Sequence, residues 1–144
     1  MKKIGITFST FDLMHPGHIL MLQDCKTVCD YLIVGIQSDP TIDRKNADNE
    51  YSKISGKSKN KPIQTLEERL IMVKAIKFID EVFIYHTEAD LYHWLKSNKW
   101  DIRILGSDWK GKKFTGYDIG GELYFHQRNH NWSTTSFRKR LIDN

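Results

Sequence analysis

An α/β domain, its parallel five-stranded sheet doubly wound with helices on both faces, is what this sequence specifies. Three features lead there. Five short apolar runs recur along 144 residues, capped amphipathic segments separate them, and no repeat or linker divides the chain. Strands that are apolar throughout, without polar alternation, are those covered on both faces, as parallel sheets are. Regular exchange of strand and helix imposes right-handed crossovers, and such a sheet opens its ligand crevice at the carboxyl ends of the strands, where their order reverses.

The first strand is expected over Ile4 to Phe8 and the first helix over His15 to Cys29. Pro16 has a φ suited to a first helical position, and Ile19, Leu22 and Cys25 or Cys29 supply the inner face. Tyr31 to Ile36 reads as the second strand. Gln37 to Lys61 is polar, lysine-rich and without a hydrophobic period; a loop this long in a compact domain is usually functional or disordered. Thr65 with Glu68 forms a T-x-x-E capping box ahead of a helix over Leu66 to Ile76. After the strand Glu81 to Tyr85, Thr87 with Asp90 repeats the device. It starts a helix through Ser97 whose Leu91, Trp94 and Leu95 are spaced to face inward. Ile102 to Leu105 and Leu123 to His126 complete the sheet, and Ser133 caps a last helix carrying Phe137 and Leu141.

Composition narrows the partners. A formal charge of +4 suits anionic ligands, yet acidic residues are interspersed throughout and the excess is too mild to indicate nucleic acid. Single-strand binding needs a basic stripe interleaved with exposed aromatics, whereas Trp94, Trp100 and Trp132 are scattered. Cys25 and Cys29 stand four apart with no further cysteine to complete a metal site, and read as reduced, partly buried thiols. No cleavable apolar segment precedes the first strand and no run approaches membrane-spanning length, so no membrane partner is expected and the cytoplasm is the default address. At this size a partner subunit is plausible.

The stretch from Thr7 to His18 carries the chemistry. It joins a strand to a helix through two histidines three apart, which makes them neighbours on one helix face. The free N–H groups of the first turn point to the same spot with the positive end of the helix dipole behind them, a site for an anion such as phosphate. Gly17 lets a ligand oxygen approach the backbone and Thr10 adds a hydroxyl. Ser133 to Ser136 opens the last helix with hydroxyls and free N–H groups, a second such end, with Arg128 five residues earlier as a bidentate clamp for phosphate oxygens. Lys57, Lys59 and Lys61 form a basic cluster at the end of the long loop. Trp109, after the fourth strand, suits either stacking on a base or packing. Asp12 is suited to holding its own loop through side-chain to backbone bonds, and Arg69 to pairing with a carboxylate or to anchoring from behind.

The order strand, T-F-D-x-x-H-x-G-H over Thr10 to His18, helix resembles the signature of the cytidylyltransferase family within the H-x-G-H nucleotidyltransferase superfamily. Three further motifs extend the likeness along nearly the whole chain: Glu67-Glu68-Arg69 with Val73 to Val82, Gly106-Ser107-Asp108-Trp109, and Arg128 followed by Ser133-Thr134-Thr135. Glycerol-3-phosphate cytidylyltransferases are the nearest members. The resemblance implies a Rossmann-like sheet in the order 3-2-1-4-5 and a homodimer. It also implies transfer of CMP from CTP to a phosphorylated small alcohol, glycerol 3-phosphate first among them, with release of pyrophosphate and formation of a CDP-alcohol.

The same resemblance implies the roles. His15 and His18 serve the α- and β-phosphates, while Lys59 and Arg128 serve the departing ones. Thr10, Phe11, Pro16, Gly17, Gly106, Asp108, Ser133, Thr134 and Thr135 line the nucleotide site. Lys57 takes the acceptor phosphate, and Lys77 stands where the glycerol-3-phosphate enzyme offers an arginine. Leu91 replaces an acceptor-binding lysine of that enzyme, and Asn129 to Trp132 is bulkier and more polar than the family's T-E-G-I. Mg²⁺ is expected on the triphosphate, held mainly by phosphate oxygens and water, with no dedicated metal ligands in the chain. The competing reading keeps the fold and exchanges the substrates: adenylyl transfer to a sugar phosphate, as in heptose-phosphate adenylyltransferases, whose opening motif is much alike. A non-catalytic nucleotide-binding module is the reading of another class, and loss of either motif histidine would have favoured it.

Overall fold

In the computed structural model, residues 2–45 and 61–143 are described. Five strands, β1 (Ile4–Ser9), β2 (Tyr31–Gln37), β3 (Glu81–Tyr85), β4 (Ile102–Gly106) and β5 (Glu122–His126), form one sheet. The order is β3-β2-β1-β4-β5 and every pairing is parallel. The helices are α1 (Pro16–Val28), α2 (Thr41–Lys45), α3 (Leu66–Lys74), α4 (Glu88–Ser97) and α5 (Thr134–Asp143), with a 3-10 turn at Ser107–Trp109.

Alternate residues of the strands feed two cores. Leu32, Val34, Ile36, Ile102 and Ile104 pack with Leu22 and Cys25 of α1 and Val73 of α3, while Ile6, Ile33 and Tyr85 pack with Leu91 and Leu95 of α4 on the other face. Residues i and i+2 of a strand share a face, so the unbroken apolar run of β2 serves both layers. Each fully buried Leu or Ile contributes about 1.5–3 kcal/mol. Gly35 has a steric reason: a Cβ there would lie 2.5 Å from the Phe8 ring and 2.7 Å from that of Phe83. The space a side chain would take is filled by aromatic rings, Phe83 stacking on Trp94 with centroids 4.2 Å apart.

The expected boundaries shift in places, each for a local reason. Gln37 belongs to β2 rather than to a loop and is buried. Asp39 then caps the short α2 by accepting from the Thr41 N–H and hydroxyl at 2.9 and 2.6 Å. α3 stops two residues before Ile76, because the Ala75 N–H turns to the carbonyls of Met72 and Val73. Leu141 of α5 is 59% exposed. Both cysteines are free and buried, and burial raises each thiol above its ordinary pKa, leaving them unreactive. Among the described residues no helix is long and apolar enough to cross a membrane.

Candidate active site

The β1–α1 loop is bent tightly and held from three sides. Phe11 and Leu13 take φ values of 54° and 49°, a region costing roughly 1–2 kcal/mol for residues with a Cβ. What offsets that strain is a set of anchors. The Asp12 carboxylate accepts from the N–H groups of Ile63 and Gln64, both at 3.0 Å, and from Arg138 of α5 at 2.8 Å, while the Gln64 side chain accepts from the Leu13 N–H at 2.8 Å. Arg69 stands buried behind the loop. Among the described residues it pairs with no carboxylate; its guanidinium donates to the carbonyls of Thr10, Gln37, Ser38 and Gln64.

On this frame the two motif histidines cap α1 reciprocally. His15 Nδ1 accepts from the Gly17 N–H at 3.0 Å, and His18 Nδ1 accepts from the His15 N–H at 3.1 Å. A ring nitrogen accepting an N–H carries no proton, so each neutral imidazole has its proton on Nε2 and offers it as a donor. The rings lie 4.0 Å apart between centroids, and His18 rests against the Phe11 ring at 5.6 Å. Gly17 sits between imidazoles: a Cβ there would come within 2.7 Å of His15 and 2.8 Å of His130.

Both rings are held neutral. Burial first, then the neighbouring His15, lowers His18 from 6.5 to about 3, against an opposing pull from Asp12. His15 is lowered by burial and by the positive Arg128. A neutral base with a depressed folded-state pKa stabilises the fold fully above its unfolded value and loses that contribution as pH falls from about 6.5 toward 3, where only the unfolded chain takes up the proton. Each pH unit inside that window removes about 1.4 kcal/mol for one such group. His18→Gln is therefore expected to flatten the acid side of the stability curve between pH 6 and 4 in urea titrations; an unchanged slope would contradict the buried neutral state.

The histidines open onto a cavity of about 220 Å³ at the carboxyl ends of β1, β4 and β5. Its walls include His15, His18, Gly106, Asp108, Arg128 and Ser133. Ser133 and Ser136 cap the start of α5 reciprocally, each hydroxyl accepting the other's N–H at 3.0 and 3.1 Å. Thr134 donates to the Asp12 carbonyl, tying the start of α5 to the β1–α1 loop. Arg128 is exposed at the rim and donates to the Trp132 carbonyl. His126, held by Asp24 at 2.8 Å, and His130 also line this wall; neither was singled out from the sequence.

Other expected site residues lie elsewhere. Phe11 is buried beneath His18 and is not among the residues facing this cavity. Pro16 is exposed on a shallow apolar groove with Met14, Ile19 and Leu20. Thr135 is exposed outside the cavity wall. Lys77 precedes β3 at the amino end of the sheet, its ammonium over the Phe78 ring, away from the crevice. Lys57 and Lys59 fall outside the described residues.

Thr10 and Trp109 line a second cavity of about 240 Å³, with Gln37, Tyr85, Glu88, Leu91, Arg103 and Thr115. Leu105 lines this chamber and Gly106 the first, so the two meet across the end of β4. Arg103 is buried there between the rings of Phe8 and Phe114, at 5.2 and 4.8 Å. Burial lowers its pKa to about 10, with Tyr85 and Glu88 opposing, and it stays charged at neutral pH. The signal for this chamber was an arginine inside an otherwise apolar strand.

A family model described as cytidylyltransferase-like matches residues 6–140. Among curated proteins, the chain is 32% identical over 143 residues to the bifunctional protein HldE of Aliarcobacter butzleri, covering 99% of this chain and 28% of that protein. It is 28% identical over 143 residues to the bifunctional protein HldE of Caulobacter vibrioides, covering 96% and 27%. The chain thus spans little more than a quarter of the length of these relatives. A crystal structure of the lipopolysaccharide core biosynthesis protein from Thermoplasma volcanium shares the fold, with a TM-score of 0.67 and 22% identity over 90% of this chain and 100% of that one. With a family model that spans all but the ends of the chain and a reciprocally capped histidine pair at the mouth of its crevice, this protein belongs to the cytidylyltransferase-like family.

Proposed function

We propose that the chain transfers an adenylyl group from ATP to the phosphate of a sugar phosphate of the heptose type, releasing pyrophosphate. The observation that carries this reading is a polar chamber walled by Arg103, Glu88, Gln37, Tyr85 and Thr115 next to a histidine-lined anion site. A three-carbon glycerol phosphate offers those groups few hydroxyls, whereas a sugar ring brings several to them. Two further facts favour a sugar phosphate over the glycerol 3-phosphate and CTP of the sequence expectation. The position of that enzyme's acceptor-binding lysine is Leu91, a buried apolar wall, and Lys77 sits at the far end of the sheet. The curated relatives are bifunctional proteins matched over about a quarter of their length, as a separate nucleotidyltransferase domain would be.

In this reaction an oxygen of the acceptor phosphate bonds to the α-phosphorus while the α–β bridging bond breaks, its electrons leaving with pyrophosphate. A phosphate monoester is already ionised at neutral pH, so no base has to remove a proton. The chain's part is alignment and stabilisation of spreading charge. His15 and His18 donate from Nε2 to the α- and β-phosphates, Arg128 and the α5 N–H groups take the outgoing ones, and the long lysine-rich segment supplies Lys57 and Lys59. Among the described residues no group of three or more His, Cys, Asp or Glu side chains is placed to hold a metal. A Mg²⁺ carried by the triphosphate and water would find the Asp108 carboxylate on the cavity wall as an oxygen donor. Such an ion neutralises phosphate charge. A homodimer, as the resemblance implies, is part of the same proposal.

Pyrophosphate release measured with ATP and CTP, each against heptose 1-phosphate and glycerol 3-phosphate, tests this. ATP with the sugar phosphate is expected to exceed CTP with glycerol 3-phosphate by at least about tenfold, one good polar contact. The reverse order would restore the CTP reading.

A further inference from the structure

We propose that His130 is a third phosphate-binding imidazole of this site, its Nε2–H donating, beside those of His15 and His18, to an oxygen of the nucleotide's polyphosphate. This rests on the nucleotidyl-transfer reading and is indifferent to which base and which acceptor the chain takes.

The start of α1 shows why a further donor is needed. Pro16 has no N–H, the Gly17 N–H goes to His15 Nδ1 at 3.0 Å, and the His18 N–H goes to the His15 carbonyl at 3.0 Å. The first three residues of the helix thus have no N–H left for a ligand. The helix dipole still favours an anion there, but the hydrogen bonds to it have to come from side chains.

His130 is held and polarised to supply one. Its Nδ1 accepts from the Trp132 N–H at 3.1 Å, and its ring lies against that of Trp132 with centroids 5.2 Å apart, which fixes the imidazole to its own loop. Desolvation, then the positive Arg128, then His126 lowers its pKa below the ordinary value, so the ring is neutral and its one proton is on Nε2. That Nε2 is buried on the cavity wall and has no hydrogen-bond partner among the described residues. Buried donors without partners are costly, and native structures hold few of them. A ligand oxygen is the missing acceptor.

Position then decides which oxygen. A Cβ on Gly17 would meet His15 Cε1 at 2.7 Å and His130 Cε1 at 2.8 Å, so the two rings flank one point over the helix start, each with its Nε2 bonded to that carbon. Arg128 is near enough to lower the pKa of both. Neutral donors beside a guanidinium match a ligand that is negative and accepts only, which a polyphosphate does and a ribose or an aminated base edge, with donors of its own, does not. His126 gives the contrast on the same wall. Its Nδ1 proton goes to the Asp24 carboxylate at 2.8 Å, which leaves its unpartnered Nε2 as a bare lone pair. That atom suits a hydroxyl or an amine and repels the oxygen of an anion.

Imidazole nitrogen NMR of the unaltered, nucleotide-free protein at neutral pH is expected to show His130 protonated on Nε2 alone. That resonance should move on addition of inorganic triphosphate, ATP or CTP and stay in place with adenosine or cytidine. In calorimetric titrations His130→Phe, which keeps a flat ring and removes the donor, is expected to weaken inorganic triphosphate and the tighter of ATP and CTP at least tenfold, about one charge-assisted hydrogen bond. The matching nucleoside should change less than twofold. A proton on Nδ1, or an Nε2 signal that ignores triphosphate, overturns the proposal whether or not the variant folds. So does a folded His130→Phe that binds triphosphate unchanged, or that loses the nucleoside by the same factor, since the ring would then serve the base or the loop. Triphosphate binding that depends on His130 in a chain that releases no pyrophosphate would instead overturn the proposed reaction and leave this inference standing.

Discussion

His18→Ala is expected to lower the rate of pyrophosphate release by roughly 10²–10³-fold while the chain stays folded, the scale observed when one preorganised donor is removed from a transition state. The ring is fixed on every side: its Nδ1 by the His15 N–H, its face by Phe11, its neighbour by a 4.0 Å ring contact. Its Nε2 proton is therefore aimed before substrate arrives, and no reorganisation is needed as charge builds. The structural cost is smaller. Loss of the ring leaves one backbone N–H at the helix start to find water, a matter of about 1–2 kcal/mol against a total of about 5–15. The discriminating measurement is kcat beside the thermal midpoint. A variant that keeps its midpoint within a few degrees and loses turnover supports the donor role, and one that keeps near-normal turnover sinks it. The neutral imidazole also makes a claim about mechanism. Burial leaves His18 uncharged down to about pH 3, so in the proposed reaction it would act by donating a hydrogen bond, with the charge left to Arg128 and the helix ends.

Local signals carried most of the architecture. β2 could be read as a doubly covered strand because Leu32 to Ile36 contains no polar residue, and α3 and α4 were legible from T-x-x-E and T-x-x-D spacings whose side chains do make both reciprocal bonds. Strand order was not in any local pattern. It came from the likeness of four motifs to a known family, because pairing between distant strands has no periodicity of its own. The helix at Thr41–Lys45 was missed for a comparable reason. It has five residues and no apolar period, and it is set by the Asp39 cap.

The site divides along the same line. His15, Gly17 and His18 were legible because helix geometry alone makes residues three apart neighbours, and the capping that orders them is also local. Arg103 and Glu88 are brought to one chamber from β4 and the start of α4, which only the folded sheet places together. A polar residue in a buried strand was the sole trace of that chamber in the sequence. Lys77 shows the limit of carrying a role by position, since a lysine ahead of a strand in a parallel sheet stands at the amino end, opposite the crevice.

Arg69→Met is expected to cost about 3–5 kcal/mol, because several buried carbonyls lose their donor at about 1–3 kcal/mol each, and to lower the thermal midpoint by roughly 10 °C for a domain of this size. One guanidinium bonds carbonyls of Thr10 in the β1–α1 loop, Gln37 and Ser38 at the end of β2, and Gln64 ahead of α3. Three separate stretches of chain converge on it. With methionine the volume is nearly kept, but four carbonyl oxygens lose their donors, and the strained Phe11 to Leu13 turn loses its backing. Arg69→Lys should recover little, because an ammonium is a compact point charge without the planar fork that spans these oxygens. The partners are carbonyls rather than a carboxylate, so restoring positive charge alone does not restore the fold. Urea titration of both variants decides it: a loss below about 1 kcal/mol in either would mean that the loop is held by Asp12 and Gln64 alone, with Arg69 filling space.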